Sequence, residues 1–262
     1  MSETDDIHDE VDESAAPLLD HLLELRKRLL ISLVALGIAF LLCLHFSRSI
    51  FAFLVQPLLR AGQGRLIYTD IFEAFFVDIK VAFFAAIMLA FPIVAMQIWR
   101  FIAPGLYSNE KRAFLPFLVM TPLLFLVGAS MAYYVAMPIA LHFLLGYQGN
   151  IGGVQQTALP AVGNYLNFVT KFIFGFGVAF LLPLVLLLLE RAGFVTRQQL
   201  VAGRRYAIVA SVAIAAVLTP PDIVSQLLLG VPLILLYEMA LLAMLFGEKR
   251  RKKETDLVVA ED

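Results

Sequence analysis

Two carboxylates, Glu24 and Glu110, stand at the ends of long apolar stretches among basic neighbours, in Leu22-Leu23-Glu24-Leu25-Arg26-Lys27-Arg28 and in Ser108-Asn109-Glu110-Lys111-Arg112. A carboxylate placed there can hold a cation in two ways. The first is internal: Glu24 precedes Arg28 by four residues, the spacing of an intrahelical pair, and Glu110 sits near a helix start, where the dipole favours an acid. The second is to accept a cation from outside. A guanidinium fits best, because its planar fork makes two charge-assisted hydrogen bonds to one carboxylate and a lysine ammonium does not. An exposed ion pair contributes only about 0–1 kcal/mol, so selective binding needs an apolar wall that partly dries the pair, where a charged hydrogen bond is worth about 1.5–3 kcal/mol. Phe101 and Leu106 are candidates for that wall.

Other chemistry has no residues to carry it. The chain contains no Gly-rich phosphate loop, no HExxH, no metal-ligand cluster and no nucleophile with a base in register. Neither catalysis, a metal nor a cofactor is expected. The single cysteine, Cys43, lies inside an apolar run, which excludes an intramolecular disulfide.

The elements that must position the two acids are written in hydrocarbon. Of 262 residues, 61% are hydrophobic and 16% charged, and the mean hydropathy is +0.85. A soluble domain carries about a quarter charged residues. Nineteen residues without Asp, Glu, Lys or Arg separate Arg28 from Arg48, and a bilayer core needs about 20 apolar residues of helix. The pattern predicts an all-α, polytopic membrane protein of six segments. They run from about Leu22 to Phe46, from about Asp78 to Trp99, from Arg112 to about Pro138, from about Asn164 to Leu189, and on either side of Thr219-Pro220-Pro221-Asp222, and residues 99–112 form a loop. Residues 1–20 are acidic, unlike a cleavable signal peptide, and read as a disordered tail. Residues 21–248 form the membrane domain, and 249–262 a basic, then acidic, tail.

Basic residues cluster on alternate connections: Arg26 to Arg28, Arg100 with Lys111 and Arg112, Arg191 to Arg205, and Lys249 to Lys253. The positive-inside rule then places both termini in the cytoplasm. The fifth segment, Tyr206 to Leu218, reaches only about 20 Å before the prolines, so it is re-entrant or sits in thinned bilayer. The last two helices are expected to be short. Interior prolines bend helices, which predicts a curved bundle. Pro57, Pro104, Pro220, Pro221 and Tyr133 are expected to serve the architecture.

Ionisable or amide groups at depth are functional candidates. Gln226 and Glu238 qualify, with a satisfied internal hydrogen bond as the plainer alternative. Lys171, with Asn164 and Asn167 on one stripe, reads as a snorkelling lysine.

The segments Leu23-Glu24-Leu25-Arg26-Lys27-Arg28, Phe101-Ile102-Ala103-Pro104-Gly105-Leu106 followed by Glu110-Lys111-Arg112, and Leu218-Thr219-Pro220-Pro221-Asp222 with Gln226 occur in order from about Leu22 to Glu248. Together they resemble the TatC family. The resemblance implies a receptor subunit of the twin-arginine translocase, in the bacterial cytoplasmic (inner) membrane, that exports folded proteins using the proton-motive force. It implies that Glu24 and Glu110, with Arg26, Phe101 and Leu106, hold the twin-arginine signal peptide. It also implies that Thr219, Asp222, Gln226 and Glu238 border a docking surface for the single-span subunits TatA and TatB, and that the protein is a homo-oligomer within the complex. Nucleic acid is not an expected partner. The chain departs from a common family pattern at Leu181, where many relatives carry Glu or Gln. A small-molecule secondary transporter is the alternative reading. It needs a midplane site and usually an internal repeat, and no convincing repeat joins the two halves.

Overall fold

The computed structural model describes residues 3–106, 111–219 and 222–261, with side chains described for 22–101, 117–150, 152–219 and 222–248. Among the described residues, five helical stretches are long and apolar enough to cross a membrane: Leu22–His45, Glu73–Phe101, Phe117–Leu145, Val162–Arg191 and Ile223–Glu248.

Helix α1 (Glu3–His45) leads into a short helix, α2 (Ser47–Arg60), and α3 (Glu73–Leu106) returns antiparallel along α1. Small side chains let these backbones approach: Ala39 and Cys43 of α1 bury against Ala82, Ala86 and Ala90 of α3. The third span consists of α4 (Lys111–Met131), a π turn (Ala132–Ala136) and α5 (Met137–Leu145). Pro138 brings no N–H to the ladder, and a π turn is a usual way for a helix to absorb such a fault.

A two-residue Gly152-Gly153 turn, with φ of +63° and +90°, joins β1 (Gly149–Ile151) to β2 (Val154–Gln156) in an antiparallel hairpin. Only glycine adopts both angles without strain. The fourth span breaks into α6 (Val162–Ala179) and α7 (Leu182–Arg191). Pro183 is the cause: its ring would strike the carbonyl four residues back and it offers no N–H. At the break, the N–H of Leu181 bonds instead to the Val178 carbonyl, at 3.0 Å. The chain then continues through α8 (Arg197–Ala202), α9 (Arg204–Leu218) and α10 (Ile223–Glu261).

Helix α6 lies at the centre, burying Tyr165, Leu166, Val169, Phe172 and Phe176. Its contact with α4 depends on two glycines. A Cβ on Gly177 would lie 2.6 Å from the Phe125 ring, and one on Gly128 would lie 2.6 Å from the Phe176 carbonyl oxygen.

Several expectations change. Helix α1 begins at Glu3, within the acidic stretch expected to be a tail. Helix α3 runs on to Leu106, so residues 100–106 are helix and not loop, and Pro104 is accommodated in the final turn. Of the two closing helices, only α9 is short, at 15 residues or about 22 Å. Helix α10 is 39 residues long, because Glu, Lys and Arg carry it on past Gly247 and these are good helix formers. Pro220 and Pro221 lie outside the described residues. The helix α2 and the hairpin had no forerunner in the sequence reading.

Pro57 and Tyr133 work together. Pro57 has no N–H, so the carbonyl of Phe53 in α2 loses its helical donor. The Tyr133 hydroxyl donates to that carbonyl at 2.7 Å, and its ring stacks on Phe53 with centroids 4.4 Å apart. Tyr165 donates to the neighbouring Leu54 carbonyl at 2.8 Å. Below α2, the Glu73 carboxylate accepts from the N–H groups of Thr69 (2.5 Å), Asp70 (3.3 Å) and Gly163 (2.6 Å). It thereby clasps the loop to the start of α6.

Candidate functional site

At the other end of the bundle the start of the α1 span, Leu22–His45, meets the last turns of α3. Glu24, Lys27 and Arg28 of α1 and Gln97 and Arg100 of α3 line a hollow of about 500 Å³, with Leu23 and Ile31 as its apolar edge. Helical spacing makes the cluster: 24, 27, 28 and 31 share one face of α1, and 97 and 100 share one face of α3. The neighbouring helix ends gather beside it. Trp99 donates its indole N–H to Thr121 of α4 at 2.6 Å, and the Arg191 guanidinium of α7 lies 5.0 Å from the centre of the Phe117 ring. Arg197 of α8 pairs with Glu248 of α10 at 3.6 Å. These contacts link α3 to α4, α4 to α7 and α8 to α10.

Glu24 is held by its own helix. Arg28 binds Glu24 Oε1 through both Nε, at 3.1 Å, and a terminal guanidinium nitrogen. Both side chains are partly exposed, at 34% for Glu24 and 20% for Arg28, so a competing guanidinium can reach the carboxylate. Arg26 is exposed and does not line the hollow, and Phe101 is half-buried near the end of α3. Leu106 ends α3 and Pro104 lies in its last turn, but their side chains, like all of Glu110, lie outside the described residues. The expected pairing of Glu24 with Glu110 therefore has one member with a described position.

The residues expected at depth separate into two groups. Glu238 is bonded to Arg204 of α9 at 2.9 Å, and Thr219 donates to the Ala215 carbonyl of its own helix at 2.8 Å. Gln226 makes a long contact, 3.4 Å, to the Val212 carbonyl. Asp222 caps α10 by accepting from the Ser225 N–H at 2.7 Å. Its second oxygen, Oδ2, and the Ser225 hydroxyl are buried without a hydrogen-bond partner among the described residues. Lys171 is exposed on α6, and Leu181 lies at the break between α6 and α7.

Sequence reasoning passed over Gln97, Lys27 and Arg100 as site residues. The signal was present: Gln97 is the lone amide in the apolar run Val81–Trp99, three residues before Arg100. It could not be used without knowing that α3 returns along α1.

A multi-pass helical membrane protein with a charged hollow at its basic end is the class that this fold and site define. The family model described as "Sec-independent protein translocase protein (TatC)" matches residues 20–232. The Sec-independent protein translocase protein TatC of Magnetococcus marinus is 45% identical over 252 residues, covering 95% of this chain and 90% of that protein. The TatC of Escherichia coli is 36% identical over 246 residues, covering 92% and 94%. The crystal structure of the twin-arginine translocase receptor TatC in DDM superposes with a TM-score of 0.75 at 40% identity, covering 85% of this chain and 98% of that one.

The chain belongs to the TatC family and is a membrane subunit of the Sec-independent protein translocase. These relatives are protein translocase components, so the secondary-transporter alternative is not favoured.

Proposed function

We propose that this subunit is the receptor for twin-arginine signal peptides, with both termini in the cytoplasm, six segments in the membrane counting α9, and the hollow between α1 and α3 at the cytoplasmic surface. The observation that carries the reading is Glu24: a half-exposed carboxylate at the mouth of a hollow, already engaged in the guanidinium contact that a signal arginine would make. An incoming arginine takes the place of Arg28 on Glu24, and exchange of one guanidinium for another costs little. Glu110 receives the second arginine, and Phe101, Leu106 and Arg26 border the peptide. Crosslinking supplies the test. A twin-arginine peptide that carries a photoreactive group beside its arginine pair is captured by the wild type. Glu24→Ala and Glu110→Ala each weaken capture, and the double variant loses most of it; unchanged capture in the double variant ends the reading.

The α9–α10 edge is the docking surface for single-span TatA- and TatB-type subunits. Support comes from Gln226, half-buried on α10 with only a long contact, 3.4 Å, to the Val212 carbonyl, since a polar group on a partner helix would satisfy its amide. The Arg204–Glu238 pair holds α9 against α10. Gln226→Leu then lowers partner copurification with the fold intact, and unaltered copurification counts against it. Transport draws on the transmembrane potential, about 2.3 kcal/mol per charge per 100 mV, and several copies of the subunit assemble in one complex.

A further inference from the structure

The hollow that holds Glu24 does not stop at the charged residues. Ile31 lines both it and a second hollow of about 620 Å³ that continues between α1 and α3, walled by Leu30, Val34, Ile38, Leu42, Leu89 and Ile93. From Leu30 to Leu42 the groove is about 18 Å long at 1.5 Å per residue. That is about the depth of one leaflet, half of a hydrocarbon core about 30 Å thick.

Charge at the mouth is unbalanced. Three of the four charged side chains that line it are cations, and the single carboxylate, Glu24, is occupied by Arg28. Lys27 and Arg100 have no ion-pair partner among the described residues, and the Gln97 side chain, 8% exposed, adds an amide beside them. Two cations without an ion-pair partner among the described residues, with an amide donor, at the head of a leaflet-deep apolar slot complement the charge and shape of an anionic phospholipid. Basic pockets between helices at the cytoplasmic side are suited to such headgroups.

We infer that the α1–α3 groove binds an anionic phospholipid of the inner leaflet, its phosphate against Lys27, Arg100 and Gln97 and an acyl chain along Val34, Ile38 and Ile93. The phosphate accepts from Lys27 Nζ, the Arg100 guanidinium and the Gln97 amide, and leaves the Glu24–Arg28 pair intact. The lipid occupies the site in the absence of any cargo, so the inference does not depend on the signal-peptide reading.

Native mass spectrometry of the delipidated full chain in detergent, titrated with dioleoylphosphatidylglycerol or dioleoylphosphatidylcholine, measures it directly. The wild type is expected to retain the anionic lipid roughly tenfold or more over the zwitterionic one, given two cations near a membrane surface. The K27Q/R100Q variant is expected to retain both alike. Val34→Trp, which fills the slot from its open side, is expected to lower retention of both lipids. Both cations are exposed, and the thermal midpoint of each variant, read from the buried Cys43 thiol, checks that it is folded. Equal retention of the two lipids by the wild type overturns the inference, as does an undiminished preference in folded K27Q/R100Q.

Discussion

At the end of the molecule that carries α2 and the hairpin, Tyr133, Tyr165 and Glu73 each bond to a different element. At the end where the first span enters, Lys27 and Arg100 face a hollow and, among the described residues, have no ion-pair partner, and Glu24 bonds within its own helix. The first arrangement closes loops onto the central helix α6. The second leaves charge available to something that is not part of this chain. Polar groups bonded across elements stabilise a fold, because removing one partner strands the other in a poorly hydrated place. Polar groups left over at a helix junction contribute little to folding and are free to bind.

Perturbing each end by substitution gives this contrast a measure. The thermal midpoint in detergent can be followed through exposure of Cys43, the single cysteine, which is 6% exposed in the folded protein. Gly177→Val is expected to act most strongly, because even its Cβ meets the Phe125 ring at 2.6 Å. A loss of about 3 kcal/mol or failure to fold follows from overpacking. Glu73→Ala removes the acceptor of the N–H groups of Thr69, Asp70 and Gly163 and is expected to lower the midpoint next most strongly. Tyr133→Phe, which leaves the Phe53 carbonyl without its donor, should cost about 1–2 kcal/mol. At the opposite end, Lys27→Gln should change stability by less than about 0.5 kcal/mol while altering what the hollow binds. A Lys27→Gln midpoint falling as far as that of Tyr133→Phe would erase the distinction between a scaffold end and a binding end.

Between these extremes lies the α9–α10 edge. Arg204 and Glu238 are about half exposed, and such a pair contributes about 0.2–1 kcal/mol. Glu238→Gln is therefore expected to lower the midpoint only slightly. A large drop would mean that α9, which buries only Ser211 and Ala215 among its side chains, hangs on this one bond.

Much of the architecture was legible in the chain. Five long apolar runs, the shortness of the segment before Thr219 and the gathering of basic residues at alternate connections follow from hydropathy and charge, because lipid leaves a backbone few solutions and each is repeated over many residues. The pairing of Glu24 with Arg28 at i,i+4 spacing was legible too. Helix α2 was not. It is amphipathic, carries Pro57 within it and depends on Tyr133 and Tyr165, which are 76 and 108 residues further along the chain. A local pattern cannot report a donor that arrives from another helix. Nor could it show that Gln97 and Arg100 face Lys27, since their sequence separation is about 70 residues and only the antiparallel return of α3 brings them together.

The amino-acid order thus determined by itself that this is a multi-pass helical membrane protein, roughly where its long apolar helices lie and which residues bear charge at their ends. Those features depend on each segment's own transfer from water to lipid. Tertiary structure alone decided that Pro57 would be completed by Tyr133, that Glu73 would clasp the start of α6, and that one carboxylate, three cations and an amide would surround a single hollow. Each of those depends on the close approach of distant backbones, permitted by alanine and glycine at the α1–α3 and α4–α6 contacts.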